Sequence, residues 1–377
     1  MRLKSFLPFG LALVLSSTAA RANLSFVLTP SVQACARSNE VFFTGILSNT
    51  DPTNDLYLNG VQFITNGNFT SDSNAFFANV PGILSAGQTY SDVVFGVTIN
   101  PATPAGDYFG AVTILGGSNI FAAGNLATQP FQISTIDVSI SANVADAYKF
   151  GALPGSFVVT CVGGSDLTLV VNCAIGGTAS NGFNYSSITN FVTCADSAPS
   201  NIVITPLQDG VVDGDKTVVL TLSNSAAYNL ATPASATVTI HDTPFNDWRL
   251  TEFGTNANNS AISGDLANPA GDGIVNLLKY ALDMNPNVAT AQGLPTSQID
   301  PACNCLTLTY TEVLSAIDLT YTAEAAGNPG GPWSTNGITS TVITNNGVTQ
   351  TIKARDAANP IPPATARFMH LEVTRQP

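Results

Sequence analysis

The stretch PAGDYFGAVTIL, Pro104–Leu115, sets Tyr108, Gly110, Val112 and Ile114 on one side of an extended chain and Phe109, Ala111 and Thr113 on the other. Apolar residues recurring at a period of two mark a strand buried on one face. The same alternation runs through LSFVLTP (24–30), EVFFTGILSNT (40–50), LYLNGVQFIT (56–65), DVVFGVTI (92–99) and PFQIS (130–134). Loops bearing Pro and Gly, such as VPGILSAGQ and NPATPAGD, separate these runs.

Six or seven strands of this length make one immunoglobulin-like sandwich, here over 23–136. The PAGDYFGAVTI segment resembles a strand found near the end of immunoglobulin-like domains of bacterial surface proteins, where the tyrosine sits at a strand corner. Tyr108 is then a packed aromatic whose hydroxyl finds a backbone partner.

The chain as a whole fits that class. Charged residues are 10%, and Gly, Pro, Ala, Thr, Asn and Ser abound around short Val-, Ile- and Phe-bearing runs. The N-terminus, MRLKSFLPFGLALVLSSTAARAN, joins Arg2 and Lys4 to an apolar run too short for a membrane span and a small-residue cleavage signal at Ala20–Ala22. A secretory signal peptide is predicted over 1–22. Its removal takes three of the twelve cations and none of the 25 acids, so the net charge goes from −13 to −16. Such a balance argues against nucleic acid and anionic lipid as partners. The C-terminus shows no sorting tail or anchor, so no device for membrane retention is expected.

A second unit is expected over 137–244. GSFVVTCVGGSDLTLVVNCAIGGTASNGFNYSSI, then NIVITPLQDGVVDGDKTVVLTLSNSAAYNLATPASATVTIHD, resembles a Calx-beta domain, the sandwich first recognised in sodium-calcium exchangers. The resemblance implies that acidic side chains from several loops meet at one end, since calcium takes six to eight oxygens. Carried across, the family's early glutamate falls on Lys149 and the aspartate before its tyrosine on Asn184. The paired-aspartate loop becomes Gln208 and Asp209, Asp213 is kept, the next glutamate is Lys216, and the closing acidic run survives as Asp242. The candidate ligands are therefore Asp209, Asp213, Asp242 and Asn184, set against two ammonium groups. The expectation is a sandwich end held by Lys–Asp pairs, with at most weakly bound Ca2+.

From Asp247 to Pro286 the chain resembles a module common in exported bacterial proteins, built on a calcium loop of the EF-hand, dockerin and thrombospondin type 3 kind. Taking Asn268 as position 1 puts Ala270 at 3, Asp272 at 5, Gly273 at 6 and Lys279 at 12. Asn268 and Asp272 are the candidate ligands that remain, with Asp265 and Asp283 nearby. Ile274, Leu277, Leu278 and Ala281 predict a helix of two to three turns. The module, 245–288, is expected to act as a clip packing Trp248, Phe253 and Tyr280 against a neighbouring sandwich. A small β domain follows over 289–377.

Six cysteines in an exported chain favour disulfides, and the pairing stays open beyond a plausible pair among Cys161, Cys173 and Cys194. Cys303 and Cys305 could ligate a soft metal, but nothing nearby completes a zinc set. The two histidines, His241 and His370, stand on or beside predicted strands, and no GxSxG, HExxH or GxxxxGK[ST] motif occurs.

Together these features predict an all-β chain of tandem immunoglobulin-like β-sandwiches with one short helical clip and a small C-terminal β domain. Its role is expected to be structural or adhesive at the cell surface, without catalysis, towards a surface protein or polysaccharide. The alternatives are a calcium-binding module whose metal stiffens the domain junctions and, more distantly, a secreted hydrolase.

Overall fold

The computed structural model describes residues 23–164, 167–195, 198–361 and 366–376, so the signal segment 1–22 lies outside the described residues. Alternation becomes burial directly: successive residues of Leu24–Leu28 are buried and exposed in turn, as they are along Thr168–Cys173.

The first sandwich packs two sheets. One orders Leu24–Leu28, Glu40–Asn49, Thr89–Ile99 and Phe69–Asp72; the other orders Val32–Ala34, Gly124–Thr135, Gly106–Gly117, Leu56–Ile64 and Ile83–Leu84. The chain changes sheets after its first strand: Leu24–Leu28 runs antiparallel to Glu40–Asn49, whereas Val32–Ala34 runs parallel to Gly124–Thr135. Phe43 and Phe95 stack at 4.8 Å, and Phe131 of the opposite sheet leans on both, at 5.2 and 5.1 Å. Tyr108 donates from its hydroxyl to the Pro104 carbonyl at 2.8 Å, the backbone partner expected of a strand-corner tyrosine.

The second sandwich repeats the plan. Ser200–Ile204, Gly155–Val162, Asp137–Val144 and Asn229–Leu230 form one sheet; Asp146–Tyr148, Ser235–His241, Lys216–Leu222, Thr168–Gly177 and Phe191–Ala195 form the other. The first strand again splits, with Asp146–Tyr148 joining the second sheet parallel to Ser235–His241. Cys161 and Cys194, one on each sheet, form a disulfide, while Cys173 and Cys35 are buried free thiols. At the junction, Arg37 of the first sandwich forks onto Asp137 of the second, with Nη1 at 2.5 Å and Nη2 at 3.0 Å. Gly163, at φ +92, lies there under the Thr135 carbonyl, which a Cβ would meet at 2.4 Å.

The clip opens with the helix Pro244–Phe253. Thr243 caps it, Pro244 fits its first turn, and Gly254 at φ +50 ends it. The helix Asn276–Ala281 is shorter than the two to three turns expected. Ile274, Leu282 and Met284 of the clip share one apolar core with Leu308, Tyr310, Ala323 and Ile352 of the last domain. The clip and the C-terminal strands therefore fold as one packed body, across the 288/289 boundary drawn from sequence. That body contains a four-stranded antiparallel sheet, in the order Thr296–Asp300, Cys305–Val313, Thr349–Asp356 and Ile338–Asn345, and the ribbon Leu319–Ala326 with Phe368–Arg375. Cys303 and Cys305 form a disulfide, which removes both thiolates from the soft-metal reading.

Candidate functional site: two lysine-filled cation frames

The end of the second sandwich gathers Lys149 from the turn after Asp146–Tyr148, Asp209 and Asp213 from the loop before Lys216–Leu222, and Asp242 from just beyond the last strand. Sequence spacing separates these residues, and the sandwich brings them together because Asp146–Tyr148, Ser235–His241 and Lys216–Leu222 are neighbours in one sheet and their ends meet at one rim. Lys149 Nζ lies 3.0 Å from Asp209 Oδ1, 3.4 Å from Asp213 Oδ1 and 3.6 Å from Asp242 Oδ1. The Lys149 side chain is 2% exposed and those of Asp209 and Asp242 are 3% and 0% exposed, so the ammonium is enclosed by its acids. Lys216 adds a looser pair with Asp213 at 3.3 Å, where both side chains keep some solvent.

The carboxylates at the heart of this centre have further donors. Asp209 accepts from the Val211 N–H at 3.1 Å and from Asn184 Nδ2 at 2.7 Å. Asp242 accepts from the Thr243 N–H at 2.8 Å and Asn246 Nδ2 at 2.9 Å. Asn184 is expected from sequence to offer an oxygen to a cation, and here the structure differs. Its Oδ1 accepts from the Ser180 N–H at 2.7 Å, a contact only an oxygen can make, so its amide NH2 faces Asp209. Burial alone would depress the Lys149 ammonium, but the hydrogen bond to Asp209 and the charges of Asp242, Asp209 and Asp213 hold it above the usual lysine value. Burial would raise Asp209; the Val211 N–H, Lys149 and Asn184 outweigh it and hold the carboxyl below its usual value.

This donor set does not fit a calcium ion. The place where three carboxylates converge is filled by a cation of the chain itself, at ammonium–carboxylate distances longer than calcium–oxygen bonds, and the neutral oxygen of Asn184 is turned away. Among the described residues, no group of three or more His, Cys, Asp or Glu side chains is arranged to hold a metal ion.

The loop at Asn268–Lys279 has a similar buried Lys–Asp pair. Lys279 Nζ, fully buried, lies 2.8 Å from Asp272 Oδ2 and donates to the Val288 carbonyl at 3.2 Å. The Asp272 carboxyl, pulled down to about 2 by Lys279 and then by the Ile274 N–H, also accepts from the Thr290 N–H at 3.2 Å. Asn268, the expected first ligand, accepts from the Asp272 N–H at 3.3 Å. Gly273 sits at φ +83 with open space around its Cα, so the loop keeps it for the left-handed turn alone. Asp265 bonds Arg375 at 2.9 Å and is no ligand here.

The Lys149 end also ties the second sandwich to the clip. Asn246, on the clip helix, bonds Asp242, and Asn258 exchanges two hydrogen bonds of 2.8 Å with the Val212 backbone. The clip aromatics turn towards the C-terminal domain. Phe245 and Tyr280 pack with Ala316, and Trp248 joins them. Buried Asp318 accepts from the Tyr280 hydroxyl at 2.9 Å and the Phe245 N–H at 3.2 Å. No local spacing points to Asp318, whose partners lie 38 and 73 residues away.

His241 bonds Asp215 at 2.8 Å and Asp146 at 2.9 Å and stacks on Tyr148. His370 bonds Glu324 at 2.9 Å and stacks on Trp333 at 3.9 Å.

No family model matches this chain, and neither does any curated protein. Among solved structures, the apo-form Calx CBD1 domain is 21% identical, with 28% of this chain and 96% of that chain covered, at a TM-score of 0.24. The calcium binding domain CBD12 of CALX1.1 is 14% identical over 63% of this chain and 82% of that one, at 0.28. The D00-D0 domain of Intimin is 12% identical over 58% of this chain and all of that one, at 0.24. At these identities and scores the likenesses bear on no residue or activity of this chain, and its β architecture rests on the strand orders given above.

Proposed function

We propose that this chain is an exported, non-catalytic structural or adhesive protein of the cell surface. Its sandwiches form a rod whose junction with the clip is stiffened by a built-in lysine in a frame where a calcium-dependent domain of the resembled family would use the metal. The observation that carries this reading is Lys149 Nζ among Asp209, Asp213 and Asp242, with Asp242 bonded onward to Asn246 of the clip. An ammonium that is part of the chain is present at every calcium concentration, so the junction needs no divalent ion to close. The forked Arg37–Asp137 pair supports a second stiff junction between the two sandwiches. Among the described residues no helix is long and apolar enough to cross a membrane. Small-angle scattering of the processed chain tests the proposal: the maximum dimension should be the same in chelator and in millimolar calcium. A rod that lengthens or stiffens on adding calcium would overturn it.

A further inference from the structure

A cleft of about 720 Å³ opens where the second sandwich, the clip and the C-terminal sheet meet. Tyr148 and Leu153 wall it from the sandwich, Trp248 and Tyr280 from the clip, and Ile317 and Val348 from the last domain. Leu153, Ile317 and Val348 are exposed apolar side chains, each more than half accessible. The polar lining is acidic: Asp247 and Asp283 face the cleft beside His241, and among the described residues no lysine or arginine lines it. Asp242, also at this wall, is already committed to Lys149 and Asn246. The Asp247 and Asp283 carboxylates have no hydrogen-bond or ion-pair partner among the described residues. Asp247 is pushed up to about 6 by loss of solvent and then by the negative charges of Asp215 and Asp242, which His241 and Lys149 only partly offset.

We propose that this cleft binds a basic side chain of a partner polypeptide, an arginine or lysine flanked by apolar residues. The volume lies in the range of ligand pockets, roughly 300–1,000 Å³. Charge complementarity favours the cation: an anion meets two carboxylates without a cationic partner, and a neutral sugar can donate hydroxyls to them but leaves their charge unbalanced. Aromatic walls favour an organic cation further. A bare metal ion would need six or more oxygens, which this mostly apolar lining does not offer. Apolar walls on two opposite units take the residues on either side of the cation, which favours a peptide over a free amine. The inference deepens the proposed surface role, because the cleft exists only while the three units are held in register.

The test is calorimetric titration of the processed chain with acetyl-Leu-Arg-Leu-amide and with the same peptide carrying neutral citrulline. Saturable binding of the arginine peptide is expected, with about a tenfold loss for citrulline and a similar loss in Asp247→Asn or Asp283→Asn, both surface substitutions. Binding should also weaken below pH ~6, where Asp247 gains a proton and His241 holds its charge. Equal affinity for the two peptides, no binding of either, or binding of a neutral oligosaccharide such as cellotetraose instead would overturn the proposal. None of those outcomes changes the scattering result in chelator and calcium, so the two readings fail separately.

Discussion

Lys149 Nζ and Asp209 Oδ1 face each other at 3.0 Å with side chains only 2% and 3% exposed. An ion pair this enclosed lacks the water that makes surface pairs weak, and losing one partner strands the other. The penalty is therefore greatest for substitutions that remove one charge and spare its partners.

Lys149→Met keeps most of the length of the side chain and removes its charge, leaving Asp209, Asp213 and Asp242 to repel one another. Unfolding of the second sandwich should become easier by ~3–5 kcal/mol at neutral pH. Millimolar calcium should restore part of the loss, since the three acids would then face an unfilled centre. Melting curves of the variant with and without calcium check both statements.

The pH dependence of stability comes from two opposite shifts. Asp209 is held below its ordinary value, so its contribution is present above the unfolded pKa, ~3.9, and is lost as pH falls through the folded one. Lys149 is held above its ordinary value, so its contribution is complete below the unfolded pKa, ~10.4, and is lost as pH rises through the folded one. The contribution of this pair should hold a plateau between those limits, on which the raised Asp247 and His241 superimpose a loss of stability as pH rises through their folded values. In Lys149→Met the optimum should move to lower pH, where protonation relieves the stranded acids. Denaturant unfolding across the pH range reads both profiles.

The Cys161–Cys194 disulfide joins the two sheets of the second sandwich across 33 residues of chain. Replacing both cysteines with serine should cost ~2–4 kcal/mol, read by denaturant unfolding. Cys35 and Cys173 should resist thiol reagents until the chain unfolds, since both are buried and burial pushes the Cys35 thiol up to about 11.

Gly163→Ala places a Cβ against the Thr135 carbonyl at a φ of +92. The junction between the sandwiches should loosen at a cost of about 1–3 kcal/mol. Faster proteolytic cleavage between the first and second sandwiches, with each sandwich still folded, is the expected readout.

Much of this architecture is legible in sequence because strand burial has a period of two, as Leu24–Leu28 and Thr168–Cys173 illustrate. The two lysine-centred clusters are legible for a different reason: the resemblance to calcium-binding families leads one to expect acids at Lys149, Lys216 and Lys279. The direction of an amide is not encoded that way, and Asn184 donates because Ser180 claims its oxygen. The helix Pro244–Phe253 escapes a periodicity reading although Thr243–Pro244 is a capping signal, because its apolar residues lack a clean helical stripe. The Tyr280–Asp318 bond and the shared core of clip and last domain depend on packing between distant segments, which no local pattern specifies.

The most direct test of the lysine-filled frame is the melting temperature of the wild-type chain in chelator and in about 5 mM calcium. A ligand present at a hundred times its dissociation constant would stabilise its site by ~2.7 kcal/mol, a readily visible shift. The expected result is coincident melting curves. A rise in calcium that disappears in Asp209→Ala would show that the metal displaces Lys149, and would contradict the assignment of that lysine as the permanent cation of the site.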